Sequence, residues 1–198
     1  MKTLLIFDTE TTGLWNFKKP EDDPSQPRLV QLAAALEEEE SGIELASVSL
    51  VVKPEGWTIP DEVAMLHGIS QEMAMQIGIP IVGVLSILRR FISIADVVTA
   101  HNISFDTKIV GSEFKKQKME VKLYPKESFC TMLEAQKEMR VGKWPKLSEV
   151  MQNFFNAEMC GAHNAMVDVR ACSRVYHEIM KRRNSLERNA GDSAAANA

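Results

Sequence analysis

The apolar positions of the chain fall into runs with two periods. Residues 3–7 (TLLIF) read as a buried strand ending at Asp8, and residues 28–36 (RLVQLAAAL) and 43–53 (IELASVSLVVK) predict two more strands. The EEEESG stretch between them, four glutamates and a Ser-Gly turn, reads as a solvated hairpin tip. The segment 14–27 (LWNFKKPEDDPSQP) holds three prolines and many charges and predicts a loop. Helical spacing then takes over. Residues 60–77 predict two short helices around the break His67-Gly68, and residues 80–93 place Ile81, Val84, Leu85, Leu88, Phe91 and Ile92 on one face. A short strand is expected at 96–100, a helix at 104–117 with Ser104 as N-cap, and a strand at 127–131. Helices near 131–139 and 147–155 and a long one over 165–183 complete the pattern. The order β-β-β-α-β-α-β-α predicts an α/β fold, a mixed sheet flanked by helices. Residues 184–198 (NSLERNAGDSAAANA) have almost nothing to bury, so one domain over 1–183 and a disordered low-complexity tail are expected.

Composition narrows the class. A chain of 198 residues, 45% hydrophobic and 25% charged, is long enough to bury a core without disulfide or metal staples. A net charge of −4 argues against a protein that coats duplex DNA non-specifically. Cys130, Cys160 and Cys172 are odd in number and form no Cys-x-x-Cys pair, so no disulfide framework or zinc knuckle is indicated, and a reducing, cytoplasmic location is expected. The opening MKTLLIF is too short for a signal peptide. The most apolar stretch, residues 79–100, is broken by Arg89, Arg90 and Asp96, so no membrane span is expected.

Three acidic sites break the pattern around them. Asp8 and Glu10 follow the first apolar run, and side chains two apart on an extended chain point the same way. Asp106 precedes Ile109, Val110 and Phe114 at helical spacing, so it falls on the buried stripe. Asp168 repeats this ahead of Cys172, Val175, Tyr176 and Ile179. An acid in a first helical turn complements the helix dipole, which explains either helix alone but not Asp8 and Glu10. Four inward carboxylates on three elements repel one another unless cations sit among them. Oxygen-only ligand sets select hard ions such as Mg2+ or Mn2+, and two such ions about 4 Å apart are a device for in-line attack on a phosphodiester. Without these four acids, Asp plus Glu would equal Lys plus Arg at 23 each.

Two histidines lie near the acids. His163 stands five residues before Asp168, at the loop-to-helix junction, where a neutral imidazole could take a proton from an attacking water. His101 ends the DVVTA strand five residues before Asp106 and is expected to be structural, hydrogen-bonded at the strand end.

The segments FDTETTG (7–13), HNISFD (101–106) and HNAMVD (163–168) resemble the three motifs of the DEDDh, DnaQ-like 3′→5′ exonucleases. IPDEVAMLHGIS (59–70) and CTMLEAQ (130–136), followed by KLSEV, are similar to stretches of the epsilon proofreading subunits of bacterial DNA polymerase III. The likeness runs in order over about residues 3–182. It implies an RNase H-like fold with a five-stranded mixed sheet. It also implies two divalent cations, Mg2+ or Mn2+, held by Asp8, Glu10, Asp106 and Asp168, with Asp8 bridging both. His163 would be the general base, its place five before Asp168 marking the His subclass. Thr11, Thr12 and Leu14 match positions where relatives touch the terminal nucleotide, and Phe105 matches one that either packs beside it or belongs to the core. The loop from Trp15 to Pro27 is longer than in most relatives. No clamp-binding peptide or polymerase-docking extension is recognisable, so a polymerase partner is in doubt and a stand-alone nuclease, or one from a mobile element, is expected.

The resulting expectation is a metal-dependent 3′→5′ exonuclease releasing nucleoside monophosphates from single-stranded or frayed DNA 3′ ends. The alternatives are the same chemistry on RNA ends, as in ribonuclease T-like relatives, and a non-catalytic binding subunit; all four carboxylates and His163 speak against the last. Further features keep two readings. The six lysines at 108, 115, 116, 118, 122 and 126 suit a phosphate-tracking patch or a solvated helix face. Trp144 could stack on a base or plug the start of the next helix. Trp15 and Phe17, followed by Lys18 and Lys19, could grip substrate or tuck under their loop as a satellite core.

Overall fold

The structure, a computed structural model, describes residues 1–121, 127–161 and 164–195, with side chains to 188. A five-stranded mixed sheet in the order β3-β2-β1-β4-β5 forms its centre. Its strands are β1 (Thr3–Thr11), β2 (Leu29–Glu38), β3 (Glu44–Val51), β4 (Val97–Ala100) and β5 (Glu127–Cys130). β1, β2 and β3 pair antiparallel, while β1, β4 and β5 pair parallel. Seven helices are described: α1 (Asp61–His67), α2 (Gln71–Ile77), α3 (Ile81–Ile94), α4 (Ile103–Lys116), α5 (Thr131–Met139), α6 (Leu147–Phe155) and α7 (Ala165–Ala195).

β1 is central, and its apolar run is continuous because helices cover both faces. Leu5 and Phe7 meet Val84, Leu85 and Leu88 of α3 and Ile109, Val110 and Phe114 of α4. Leu4 and Ile6 point the other way, against Ala135 of α5, Val150 of α6, and Val169, Cys172, Val175 and Tyr176 of α7. A smaller cluster of Val30, Ile59, Ile69 and Ala74 seats α1 and α2.

Three local expectations change. The glutamate run is not a solvated tip throughout. Glu37 extends β2 and is buried, its carboxylate accepting from Ser173 Oγ at 2.8 Å and pairing with His177 Nε2 at 2.8 Å. Glu39 accepts from Tyr176 Oη at 2.8 Å. α7 covers this end of the hairpin, so polar partners replace water. At α4 the N-cap position is Asn102, in a left-handed conformation, and Ser104 lies inside the first turn. α7 continues to Ala195, past the boundary drawn at 183, although its buried stripe ends near Ile179 and Leu186 is exposed. Residues 184–188 of the extension are exposed.

A buried ion pair fixes α4 to β2. Glu113 is 1% exposed and accepts from Arg28 Nε at 2.7 Å, Arg28 Nη2 at 3.1 Å and the Leu29 amide at 3.2 Å. Removing one partner of such a pair strands the other charge. Glu113→Ala should therefore destabilise the protein by about 3 kcal/mol, read from urea denaturation midpoints. A change under about 0.5 kcal/mol, the scale of an exposed surface substitution, would show that the pair does not hold α4.

Candidate active site

The site forms where β1 outruns its parallel neighbour. The β1–β4 ladder ends at Ile6↔Thr99, while the β1–β2 ladder continues to Thr11↔Leu29. Asp8 and Glu10 continue the face of Leu4 and Ile6, the side covered by α7, whose first turn carries Asp168. Carboxylate oxygens of Asp8, Glu10 and Asp168 lie within 4.8 Å of one another. Asp106 reaches the same place from the opposite face of the sheet. Its Oδ1 accepts from the Thr9 amide at 3.1 Å and from Thr9 Oγ1 at 2.8 Å. Past the end of β4, the Thr9 amide takes this carboxylate in place of a strand partner.

Electrostatics follow from that placement. Burial, then the charges of Asp106, Asp168 and Glu10, hold the Asp8 carboxyl well above the usual carboxylate range. Burial, then Asp168 and Asp106, push Glu10 up to about 8. Burial pushes Asp106 up to about 7, against the two Thr9 hydrogen bonds that pull it down. At an effective dielectric near 20, two ionised carboxylates at this spacing repel by about 3 kcal/mol, so the cluster retains protons or takes cations. Its donors are all carboxylate oxygens, a set that fits a hard divalent ion. Asp8, Glu10 and Asp168 offer one ligand atom each to a common point, and Asp106 is near enough for its charge to raise Asp8 and Glu10.

The other predicted residues divide. His163 lies outside the described residues, as do Lys122 and Lys126 of the lysine patch. Thr11 Oγ1 donates to the Gly13 carbonyl at 2.8 Å, and Thr12 Oγ1 accepts from the Arg28 amide at 2.8 Å. Both hydroxyls thus shape the turn after Glu10. Leu14 is 88% exposed on that turn, and Phe105 is half-buried against the core. His101 is structural as expected: its Nε2–H donates to the Pro145 carbonyl at 3.0 Å, and Nδ1 bonds Thr131 Oγ1 at 3.1 Å. Burial lowers its pKa, which keeps the ring neutral. Trp144 is 69% exposed and plugs nothing. Trp15 is in the core at 8% exposure, which corrects the gripping role for that residue, whereas Phe17 stays exposed. Sequence reasoning missed Thr9; a hydroxyl on the apolar face between two inward acids was the available signal.

These shifts fix a pH dependence. Asp8, Glu10 and Asp106 keep protons in the fold at pH values where the unfolded chain, with carboxyls near 4, has lost them. Their contribution to stability is complete below about pH 4 and is lost as the pH rises through about 7 to 8. In chelator, the melting temperature should fall between pH 5 and pH 8.5, with a shallower fall in Asp8→Asn. Mn2+ should raise it most at the alkaline end. Identical slopes in the two proteins would show that the carboxylates are not coupled.

The RNase T exonuclease family profile matches residues 5–176. Comparison with curated proteins gives no match. Among solved structures, E. coli exonuclease I in complex with a dT13 oligonucleotide is similar, with a TM-score of 0.76 and 18% identity over 96% of this chain and 43% of that one. The zinc-bound form of the E. coli exonuclease I–single-stranded DNA complex gives 0.74 and 18% over 92% and 41%. A product-bound exonuclease I gives 0.73 and 18% over 93% and 45%. At this identity the similarity shows a shared fold, and the chain spans less than half the length of those proteins. Among the described residues no helix is long and apolar enough to cross a membrane. With the family profile spanning most of the sheet and both acid-bearing helices, the chain belongs to the RNase T exonuclease family.

Proposed function

We propose that this chain is a metal-dependent 3′→5′ exonuclease that releases nucleoside monophosphates from single-stranded or frayed DNA ends. The observation that carries the reading is the convergence of Asp8, Glu10 and Asp168 within 4.8 Å, with Asp106 held beside them by Thr9. The exonuclease I structures that hold DNA oligonucleotides on the same fold favour DNA as the substrate.

Asp8, Glu10, Asp106 and Asp168 would hold two divalent cations, Mg2+ or Mn2+. When bound, such cations supply Lewis acidity at the scissile phosphate and stabilise the charge that builds on its oxygens. The protein's own groups do the rest. Thr9 keeps the Asp106 carboxylate turned toward the cluster. His163, five residues before Asp168, accepts the proton of the attacking water, and its place in HNAMVD supports the DEDDh, DnaQ-like branch that the epsilon proofreading subunits resemble. Leu14, exposed on the turn after Glu10, offers an apolar surface to the terminal base, and the main chain at Thr11 and Thr12 faces the sugar beside Phe105. A site at the end of a sheet must receive a splayed terminus, and unpairing costs least at frayed or mismatched ends.

The test uses oligonucleotides of DNA and RNA labelled at either end. With Mg2+, a 3′-labelled DNA should release its label first as a mononucleotide, while a 5′-labelled one shortens stepwise; chelator should stop both. Faster decay of RNA would reassign the substrate, and label lost first from the 5′ end would overturn the polarity. Asp8→Asn and Asp106→Asn should abolish turnover, the latter retaining an oxygen acceptor for Thr9. His163→Ala should lower turnover by roughly 10²–10⁴. Near-normal turnover of that variant from pH 6 to 9 would remove His163 from the mechanism.

A further inference from the structure

The loop over residues 14–27 is held in one shape. Gln26 Oε1 accepts from the Asn16 amide at 3.0 Å, and its Nε2 donates to the carbonyls of Asn16 at 2.8 Å and Pro20 at 3.1 Å. Ser112 of α4 donates to the Glu21 carbonyl at 2.5 Å, and Trp15 is buried in the core. On this fixed frame Phe17 is 79% exposed. The Lys108 ammonium lies 5.0 Å from the centre of its ring and donates to Ser104 Oγ at 3.2 Å. An exposed phenyl ring forgoes about 1.5–3 kcal/mol of burial, free energy that a ligand covering it recovers.

The loop runs along α4 with its charges sorted by distance from the carboxylates. Lys108 is two residues past Asp106, about 3 Å along the helix axis but about 200° around it, so its side chain leaves α4 on the face under the loop while Asp106 is buried. Ser112, which holds Glu21, and Lys115, which pairs with Asp22 at 3.9 Å, lie further down the same helix, about 9 and 14 Å from Asp106 along it. A ring and an ammonium therefore stand at the end of the loop level with Asp106, Phe17 being three residues past Leu14 and within about 11 Å of it, and Glu21, Asp22 and Asp23 stand at the far end. A strand of bases and phosphates fits the first half and is repelled by the second.

We propose that Phe17 and Lys108 form a nucleotide subsite for single-stranded DNA on the 5′ side of the terminal nucleotide, where a base stacks on the Phe17 ring and Lys108 pairs with a backbone phosphate. The subsite rests on the exonuclease reading above. Stacking on an aromatic side chain tolerates any base, so it suits an enzyme that moves along a strand of arbitrary sequence. The ring–ammonium contact keeps Lys108 beside Phe17 until a phosphate takes its place.

The test compares two substrates in the intact chain. The p-nitrophenyl ester of thymidine 5′-monophosphate offers one nucleotide and cannot reach the subsite; a ten-residue oligo-dT can. Phe17→Ala should raise KM for the oligonucleotide about tenfold, with kcat and hydrolysis of the ester within twofold and the melting temperature unchanged. Phe17→Trp should restore the affinity, and Lys108→Gln should flatten the salt dependence of oligonucleotide KM. An unchanged oligonucleotide KM in Phe17→Ala would overturn the subsite while leaving the exonuclease reading intact. Equal losses on both substrates would overturn it too, by assigning Phe17 to the architecture of the site. A wild-type protein inert on both substrates would remove the exonuclease reading and the subsite with it.

Discussion

Carboxylates kept out of water at the end of the central strand repel one another, and much of the fold serves to hold them there. Asp8 and Glu10 cannot separate because both project from one face of a strand paired on both sides up to Ile6. Asp168 is carried by α7, which is fixed one and two turns further along by Glu37, through Ser173 and His177. Asp106 is carried by α4, which is fixed two turns further along by Glu113 and Arg28. Each acid-bearing helix thus has a polar anchor buried away from the site as well as an apolar face. Without such anchors, a shift of either helix would relieve the repulsion and scatter the ligands.

The same arrangement separates two tasks. The apolar layers on both sides of β1 supply the stability, and the end of β1, paired with β2 alone, holds the acidic cluster against its own repulsion. Thr9 stands between them: its side chain lies on the α4 face, yet its amide and hydroxyl orient an acid that acts with the α7 face. Arg28 joins the anchor to the turn after Glu10, because its backbone exchanges hydrogen bonds with Thr12 at 3.0 and 2.8 Å. The position of Glu113 is therefore tied through Arg28 to the turn that bears Leu14.

The sheet and the acids were legible in the sequence because each leaves a periodic trace. The run TLLIF marks a strand covered twice, and an acid on a helix's apolar stripe marks either a dipole partner or a ligand. What the pattern did not carry was pairing over long sequence distances. Glu37 and Glu39 look solvated until α7, more than 130 residues away, supplies Ser173, Tyr176 and His177. Glu113 looks like an ordinary helix-surface acid until Arg28 reaches it. Trp15 and Phe17, two apart in one loop, have similar composition but opposite fates, and only the packing of the loop on α4 separates them.

If cations fill the acidic cluster, they displace the protons that burial keeps on Glu10 and Asp106. Calorimetric titration of Mn2+ into the metal-free protein at pH 7, repeated in buffers of different ionisation enthalpy, counts the protons released on binding. With Glu10 raised to about 8 and Asp106 to about 7, binding should release at least one proton per protein, and Asp8→Ala should lose most of the affinity. Binding without proton release, or binding unaffected by Asp8→Ala, would show that these carboxylates are not a proton-linked cation site.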